Sequence, residues 1–302
     1  MKKILITGVN SYIGTSFKKW VSQYPDKYSV DFISIRDGHW KGKSFFGYDV
    51  IFHTAAIVHV SENDTSNYFK VNRDLTVELA KKAKKEGVKQ FIFLSTMGVY
   101  GTETGYITKD TKPNPKTPYA QSKYEAEQLL LQFNSSDFNV AILRPPIVYG
   151  KGCPGNFARL SRVALKAPLF PDIENVRSMI FIDNLSEFVK LLIDNNFSGL
   201  YFPQNKNYVN TSELVRLIAK VHGKKLKETK LFNWVVAKGL KNNIVIRKVF
   251  GSFVYDRKLN GGPGSMMDGV VLNYETDSFE KSVEISVGRN SKKDNKNEGN
   301  IY

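Results

Sequence analysis

"KILITGVNSYIG", Lys3–Gly14, decides the fold. A short apolar run reaches Thr7, a glycine follows, and an amphipathic pattern begins at Tyr12. That order reads as strand, tight turn and helix. Gly8 permits the turn, and Gly14 lets the helix lie close against the sheet. The helix N-terminus then offers free N–H groups and the positive end of its dipole to a pyrophosphate. Ser11 stands where such loops usually carry a middle glycine, so backbone approach is less free there. An ordinary strand–helix turn would look similar in isolation. Its place at the head of an alternating pattern gives the loop its weight.

Outward from that loop the alternation continues. "SVDFISIR", "YDVIFHTAA", "KQFIFLST" and "FNVAILRPP" read as strands. "YIGTSFKKWVSQY", "NYFKVNRDLTVELAKKAKKEG" and "PYAQSKYEAEQLLLQF" read as helices. Strands alternating with helices predict an α/β fold of Rossmann type, a doubly wound parallel sheet, here with a small C-terminal lobe. Past Pro145 and Pro146 the texture turns to Gly- and Pro-rich loops, "VYGKGCPGN" and "KAPLFPDIENVR". "MIFIDNLSEFVKLLIDN" returns to strand-helix character and is expected to pack on the main sheet, and "TSELVRLIAKVHG" reads as a helix capped by Thr211 or Ser212. The predicted division is a dinucleotide-binding domain over 1–148 plus about 178–196, a lobe over 149–177 and 197–287, and a disordered polar tail over 288–302.

Composition sets the outer bounds. The chain has 302 residues, 41% hydrophobic, enough for a large core. A single cysteine, Cys153, excludes an intramolecular disulfide framework and fits a reducing cytoplasm. "MKKILITG" starts like a signal peptide, but its apolar run is short and glycine ends it, so it reads as a first strand. No uninterrupted apolar stretch approaches membrane-spanning length. The net charge is +15, of which residues 289–302 supply only +2. Such an excess attracts nucleic acid, an anionic membrane face or small polyanions such as dinucleotides. No nucleic-acid-binding signature or metal-ligand cluster accompanies it. Most of the lysines read as solvated helix faces. The basic segment "NWVVAKGLKNNIVIRKVFGSF" reads first as a lobe helix covering the substrate, with contact to a membrane surface or an assembly partner as its other use.

Two further features carry chemistry. At the exit of the second strand stands Arg36, followed by Asp37. An acid there accepts the ribose hydroxyls of NAD, whereas an arginine suits the 2′-phosphate of NADP. The expectation is NADPH, with NAD as the alternative because a one-residue slip brings Asp37 into the role. Tyr119 and Lys123 lie four apart on a predicted helix, so they share one face. A tyrosine titrates near pH 10; an adjacent ammonium and a cationic nicotinamide both pull that value down. The Thr96 hydroxyl at a strand exit can hydrogen-bond the substrate oxygen while Tyr119 exchanges its proton.

Taken together, Gly8-x-x-Ser11-x-x-Gly14, "HTAA" (53–56), Asn72, "STMGVYG", Tyr119-x-x-x-Lys123 and "LRPPIVYG" resemble the extended short-chain dehydrogenase/reductases that act on nucleotide sugars. The resemblance covers about the first two-thirds of the chain. It implies a catalytic set of Thr96, Tyr119 and Lys123. Around the cofactor it implies Thr7, Gly8, Tyr12, Ile13, Gly14, Arg36 and Ala55 beside Tyr119 and Lys123. It nominates Arg177 of "RSMIFIDNL" and Asn156, with Thr96, for a UDP-sugar substrate, and it favours a homodimer.

Family members differ in reaction at readable positions. The 4,6-dehydratases carry Asp-Glu after the catalytic threonine; here Met97 and Gly98 stand there, and neither transfers a proton. UDP-galactose 4-epimerases usually carry a substrate-contacting asparagine where this chain has Ile147. The likeness is greatest to capsule-locus enzymes that reduce C4 of a UDP-4-keto-6-deoxy-N-acetylhexosamine. That reaction is the leading expectation, NAD-dependent 4-epimerisation of a UDP-hexose or UDP-HexNAc the alternative, and a non-catalytic dinucleotide-binding protein the remote third.

Overall fold

The computed structural model describes residues 1–58, 65–231 and 233–288. Its centre is a six-stranded sheet. The strands are β1 (Lys2–Thr7), β2 (Tyr28–Ile33), β3 (Val50–His53), β4 (Gln90–Leu94), then β6 (Asn139–Leu143) beyond the short β5 (Gly105–Ile107). Across the sheet the order is β2-β1-β3-β4-β6, closed at the far edge by β10 (Gly199–Tyr201), and every neighbouring pair is parallel. Between β1 and β3 the chain reverses its direction of travel across the sheet, and at such a switch point a cleft opens beyond the strands' carboxyl ends.

Helices cover both faces, which is why the strands read as apolar runs rather than as half-polar alternations. Ile4, Ile6, Val50, Phe52 and Ile92 point to one face, against Phe17 and Val21 of α1 (Tyr12–Val21) and Leu185 and Phe188 of α6 (Ile182–Asp194). Leu5, Ile51, Phe91 and Phe93 point to the other. There they meet Leu79, Ala80 and Ala83 of α3 (Thr76–Lys85) and Ala126 and Leu130 of α4 (Pro118–Leu131). α3 is reached from a short α2 (Ser66–Phe69) through a π-helical turn over Lys70–Leu75.

Beyond β6 the chain builds small ribbons and helices beside the cleft. β7 (Ile147–Tyr149) pairs with β9 (Met179–Phe181), and β8 (Leu169–Pro171) with β11 (Lys227–Thr229). β12 (Phe253–Tyr255) reaches back to β5. The remaining helices are α5 (Asn156–Lys166), α7 (Thr211–Val221), α8 (Asn233–Asn242), α9 (Ile244–Phe250) and α10 (Phe279–Val287).

Three local expectations need correction. Residues 199–201, placed in the lobe by sequence, form the sheet's sixth strand; three residues give no periodicity to detect. β9 joins β7 rather than the main sheet, although α6 after it does pack on α1. The cap of α7 is Asn210, whose side chain accepts from Glu213 N at 2.9 Å. Thr211 and Ser212 instead donate to the carbonyls of Val249 and Pro171, both at 2.8 Å. The polar stretch 289–302 lies outside the described residues.

Candidate active site

A cavity of about 1170 Å³ opens at the carboxyl ends of the sheet strands. Its floor is the β1–α1 loop. Gly8 has a φ of 92°, and a Cβ there would come within 3.2 Å of Ala55, so only glycine keeps this turn against the β3 exit. At Gly14 a Cβ would sit 2.9 Å from Ile6 and 3.0 Å from Thr54; the residue serves helix-on-sheet packing and does not line the cleft. Ser11, in place of the middle glycine, caps α1 by accepting from Gly14 N at 3.2 Å. The first turn of α1 therefore stands well formed, with Tyr12 and Ile13 on the cleft.

This cradle fits a dinucleotide: a glycine turn that a side chain would fill, a helix N-terminus behind it, and Arg36 at the rim. At the β2 exit the two neighbouring candidates are placed differently. Arg36 is exposed and lines the cleft. Asp37 is not among the lining residues, and its carboxylate accepts from His39 N at 3.1 Å.

Thr96, Tyr119 and Lys123 all line the same cavity. Thr96 leaves β4 beside the β6 exit, because Ser95 N donates to Leu143 O at 2.7 Å and Met97 N to Pro145 O at 3.0 Å. α4 begins with Thr117 as its cap and Pro118 at its first position, fixing the turn that carries Tyr119. Buried Asn72, on the π-helical turn, ties three parts together. It pairs with the backbone of Ile57 at 2.8 and 3.0 Å and donates to Ser122 Oγ, whose own hydroxyl donates to Tyr119 O at 2.9 Å. Tyr68 meets the Tyr119 ring edge-on at 6.2 Å.

Electrostatics in the protein alone run opposite to the sequence expectation. Burial pushes the Tyr119 phenol up to about 12, and Tyr68 adds to that. Burial likewise pushes Lys123 down to about 7, opposed by the Glu127 carboxylate one helical turn on. A lysine only partly charged near neutrality exerts little pull on a phenol, so desolvation prevails. The Lys123 ammonium also lies 4.2 Å from the centre of the Phe93 ring.

Ala55 and Asn156 line the cavity as expected, and Thr7 does not. Fully buried Thr7 hydrogen-bonds His53 Nδ1 at 2.7 Å and is part of the scaffold beneath the loop. Arg177 is also absent from the lining. It is buried, donating to Gly251 O at 2.7 Å and Arg247 O at 3.2 Å, and among the described residues its Nε has no partner. Among the described residues neither Asp172 nor Glu174 forms an ion pair with it. Met97 packs into an apolar cluster with Val99, Tyr100, Phe202 and Tyr255, and so offers the cleft nothing. Sequence reasoning passed over the buried pair Glu127–Arg144 behind the site; its only linear trace is a glutamate four residues after Lys123.

A Rossmann-type sheet with a threonine, a tyrosine and a lysine converging on one dinucleotide cleft defines a short-chain dehydrogenase/reductase of the extended kind. The chain matches the NAD dependent epimerase/dehydratase family over residues 4–202, and it belongs to that family. Among its relatives is a UDP-glucose 4-epimerase of Vibrio cholerae, 33% identical over 247 residues, covering 72% of this chain and 75% of that protein. Another is the N-acetyl-alpha-D-glucosaminyl-diphospho-ditrans,octacis-undecaprenol 4-epimerase of Escherichia coli O157:H7, 25% identical over 74% of this chain and 73% of that one. Among solved structures, RMD from Pseudomonas aeruginosa complexed with NADPH superimposes with a TM-score of 0.72 at 17% identity, covering 95% of this chain and 98% of that one. Among the described residues no helix is long and apolar enough to cross a membrane.

Proposed function

We propose that this enzyme uses NADPH to reduce C4 of a UDP-linked 4-keto-6-deoxy-N-acetylhexosamine, supplying a sugar for a surface polysaccharide such as capsule. One observation carries the reading: Arg36, Thr96, Tyr119 and Lys123 line a single cleft, while Asp37 does not. Bound NADPH supplies the hydride. Tyr119 remains protonated at neutral pH, because burial holds it near 12, and so can donate its proton to the oxygen that gains charge as the carbonyl is reduced. The Thr96 hydroxyl supports the same oxygen from the β4 exit. Lys123 steadies the nicotinamide ribose and, when charged, eases the loss of the phenol's proton. With Met97 in the core and Gly98 without a side chain, neither position supplies an acid or base to expel a C6 hydroxyl. Asn156, which lines the cleft, is the substrate contact in this reading. A diphosphate contact from Arg177 requires its guanidinium to leave the Gly251 and Arg247 carbonyls.

A second reading, NAD-dependent 4-epimerisation of a UDP-hexose or UDP-N-acetylhexosamine, is favoured by the identity to the Vibrio cholerae enzyme. It uses the same side chains twice, since the hydride leaves C4 and returns to its other face. One assay separates the two: incubation with NADPH and the 4-keto product of a UDP-GlcNAc 4,6-dehydratase, followed by nicotinamide absorbance. Consumption of NADPH is expected. No consumption, together with interconversion of UDP-GlcNAc and UDP-GalNAc, would replace the first reading by the second.

A further inference from the structure

Of the nineteen large apolar side chains left exposed among the described residues, five fall within residues 231–245. They are Leu231 at 75% exposure, Trp234 at 71%, Val235, Ile244 and Val245. Within α8 the exposed positions Trp234, Val235, Lys238 and Lys241 recur at helical spacing and so form one face, while Val236 turns inward; Leu231 is exposed in the turn ahead. α9 folds back tightly. A side chain at Gly239 would collide with Ile246, and Asn243 caps α9 by accepting from Val245 N at 2.8 Å and Ile246 N at 3.1 Å. The hairpin thus presents Ile244 and Val245 on the first turn of α9, also in solvent.

Charge on this element is one-sided. Residues 230–251 contain Lys230, Lys238, Lys241, Arg247 and Lys248 and no Asp or Glu. Lys248 approaches Glu103 at 3.7 Å, whereas Lys238 and Lys241 have no ion-pair partner among the described residues. An exposed tryptophan beside unpaired lysines has complementary chemistry in a bilayer surface: phosphate headgroups for the ammonium groups and the acyl boundary for the ring. A second copy of the chain matches it poorly, since a two-fold contact would set these cations against themselves. We propose that the α8–α9 face docks on the anionic phospholipid surface of a membrane, as a peripheral contact that no part of the reduction chemistry requires.

The test uses the purified full chain with vesicles of phosphatidylcholine, with and without phosphatidylglycerol. Tryptophan emission reports on the face directly. Trp40 is buried and Trp20 donates to Glu187 at 2.7 Å, which leaves Trp234 as the exposed indole. Co-sedimentation with phosphatidylglycerol vesicles and a blue shift in emission are expected, both weakening as salt screens the charges. Lys238→Glu/Lys241→Glu should bind at least about tenfold more weakly, and Trp234→Ser should lose the blue shift, each with an unchanged melting temperature. Failure to sediment, equal sedimentation with pure phosphatidylcholine, or unaltered binding of both variants would overturn the proposal. So would a concentration-dependent blue shift with dimer formation in the absence of vesicles. Since no turnover is measured, the outcome is independent of the reductase reading.

Discussion

Arg144 clasps both carboxylate oxygens of Glu127, with Nη2 at 2.6 Å from Oε2 and Nε at 3.1 Å from each oxygen. Both side chains are almost fully buried. The cluster closes around them. Ser95 donates to Glu127, Arg144 Nη1 donates to Tyr100 at 3.0 Å, and Tyr255 donates to Arg144 O at 2.9 Å. This network binds the β4 exit, where Thr96 stands, to the helix that carries Tyr119 and Lys123. Removing one charge strands the other in the interior. Glu127→Gln should therefore cost about 3–5 kcal/mol in chemical denaturation. Combining it with Arg144→Met should recover part of that loss, and strictly additive costs would refute the coupling.

His53 makes stability depend on acid. Burial, reinforced by Lys123, lowers it to about 3, and both ring nitrogens are engaged, by Thr7 at 2.7 Å and Thr76 at 2.8 Å. An unfolded histidine titrates near pH 6.5. Between those values the unfolded chain takes up a proton that the folded one refuses, so stability falls as pH drops, by about 1.4 kcal/mol per unit for one proton. His53→Gln should flatten the limb from pH 6.5 to about pH 5, above the range where carboxylates contribute. Denaturation midpoints across that range measure it; an unaltered slope would mean that another group is responsible.

Much of this was legible in the chain. Ile4–Thr7 with Gly8 after it announced β1 and its turn, and the spacing of four put Tyr119 and Lys123 on one helical face because helix geometry is local. What escaped depends on distant partners. Thr7, at the strand's end and nominated for the cofactor, has its hydroxyl claimed instead by His53, 46 positions on. Arg144 and Glu127 meet across 17 residues, from a strand exit to a helix. Asn210 caps α7 in a place where Thr211 and Ser212 are equally good cap formers by type, and tertiary hydrogen bonds to Val249 and Pro171 decide the choice. The direction of the Tyr119 shift escaped for the same reason: burial of Lys123 is set by the fold, not by spacing.

Arg36 should govern the choice of nicotinamide cofactor. A guanidinium–phosphate contact contributes about 1.5–3 kcal/mol, so Arg36→Asp should raise the KM for NADPH by about ten- to a hundredfold and improve that for NADH. Asp37→Ala should leave the ratio unchanged, because its carboxylate is held by the His39 backbone. Steady-state KM values for both cofactors decide the matter. An unmoved ratio in the Arg36 variant would place the 2′-phosphate elsewhere.

The tyrosine and the lysine should separate in a pH profile. For reduction, Tyr119 must carry its proton and Lys123 its charge. With the phenol near 12 the first condition holds across the working range, so the limb that appears belongs to Lys123, near 7. The value of kcat/KM reports the free enzyme, and it should be level below about pH 7 and fall roughly tenfold per unit above it. Lys123→Arg keeps a charge at every accessible pH, so its lower activity should show no break near neutrality. Tyr119→Phe should reduce turnover by about a hundredfold or more while NADPH still binds, since the proton donor is lost and the cradle is intact. A wild-type profile flat well into the alkaline range would show that the charge on Lys123 plays no part. Near-normal turnover in the phenylalanine variant would move the proton donor to another residue.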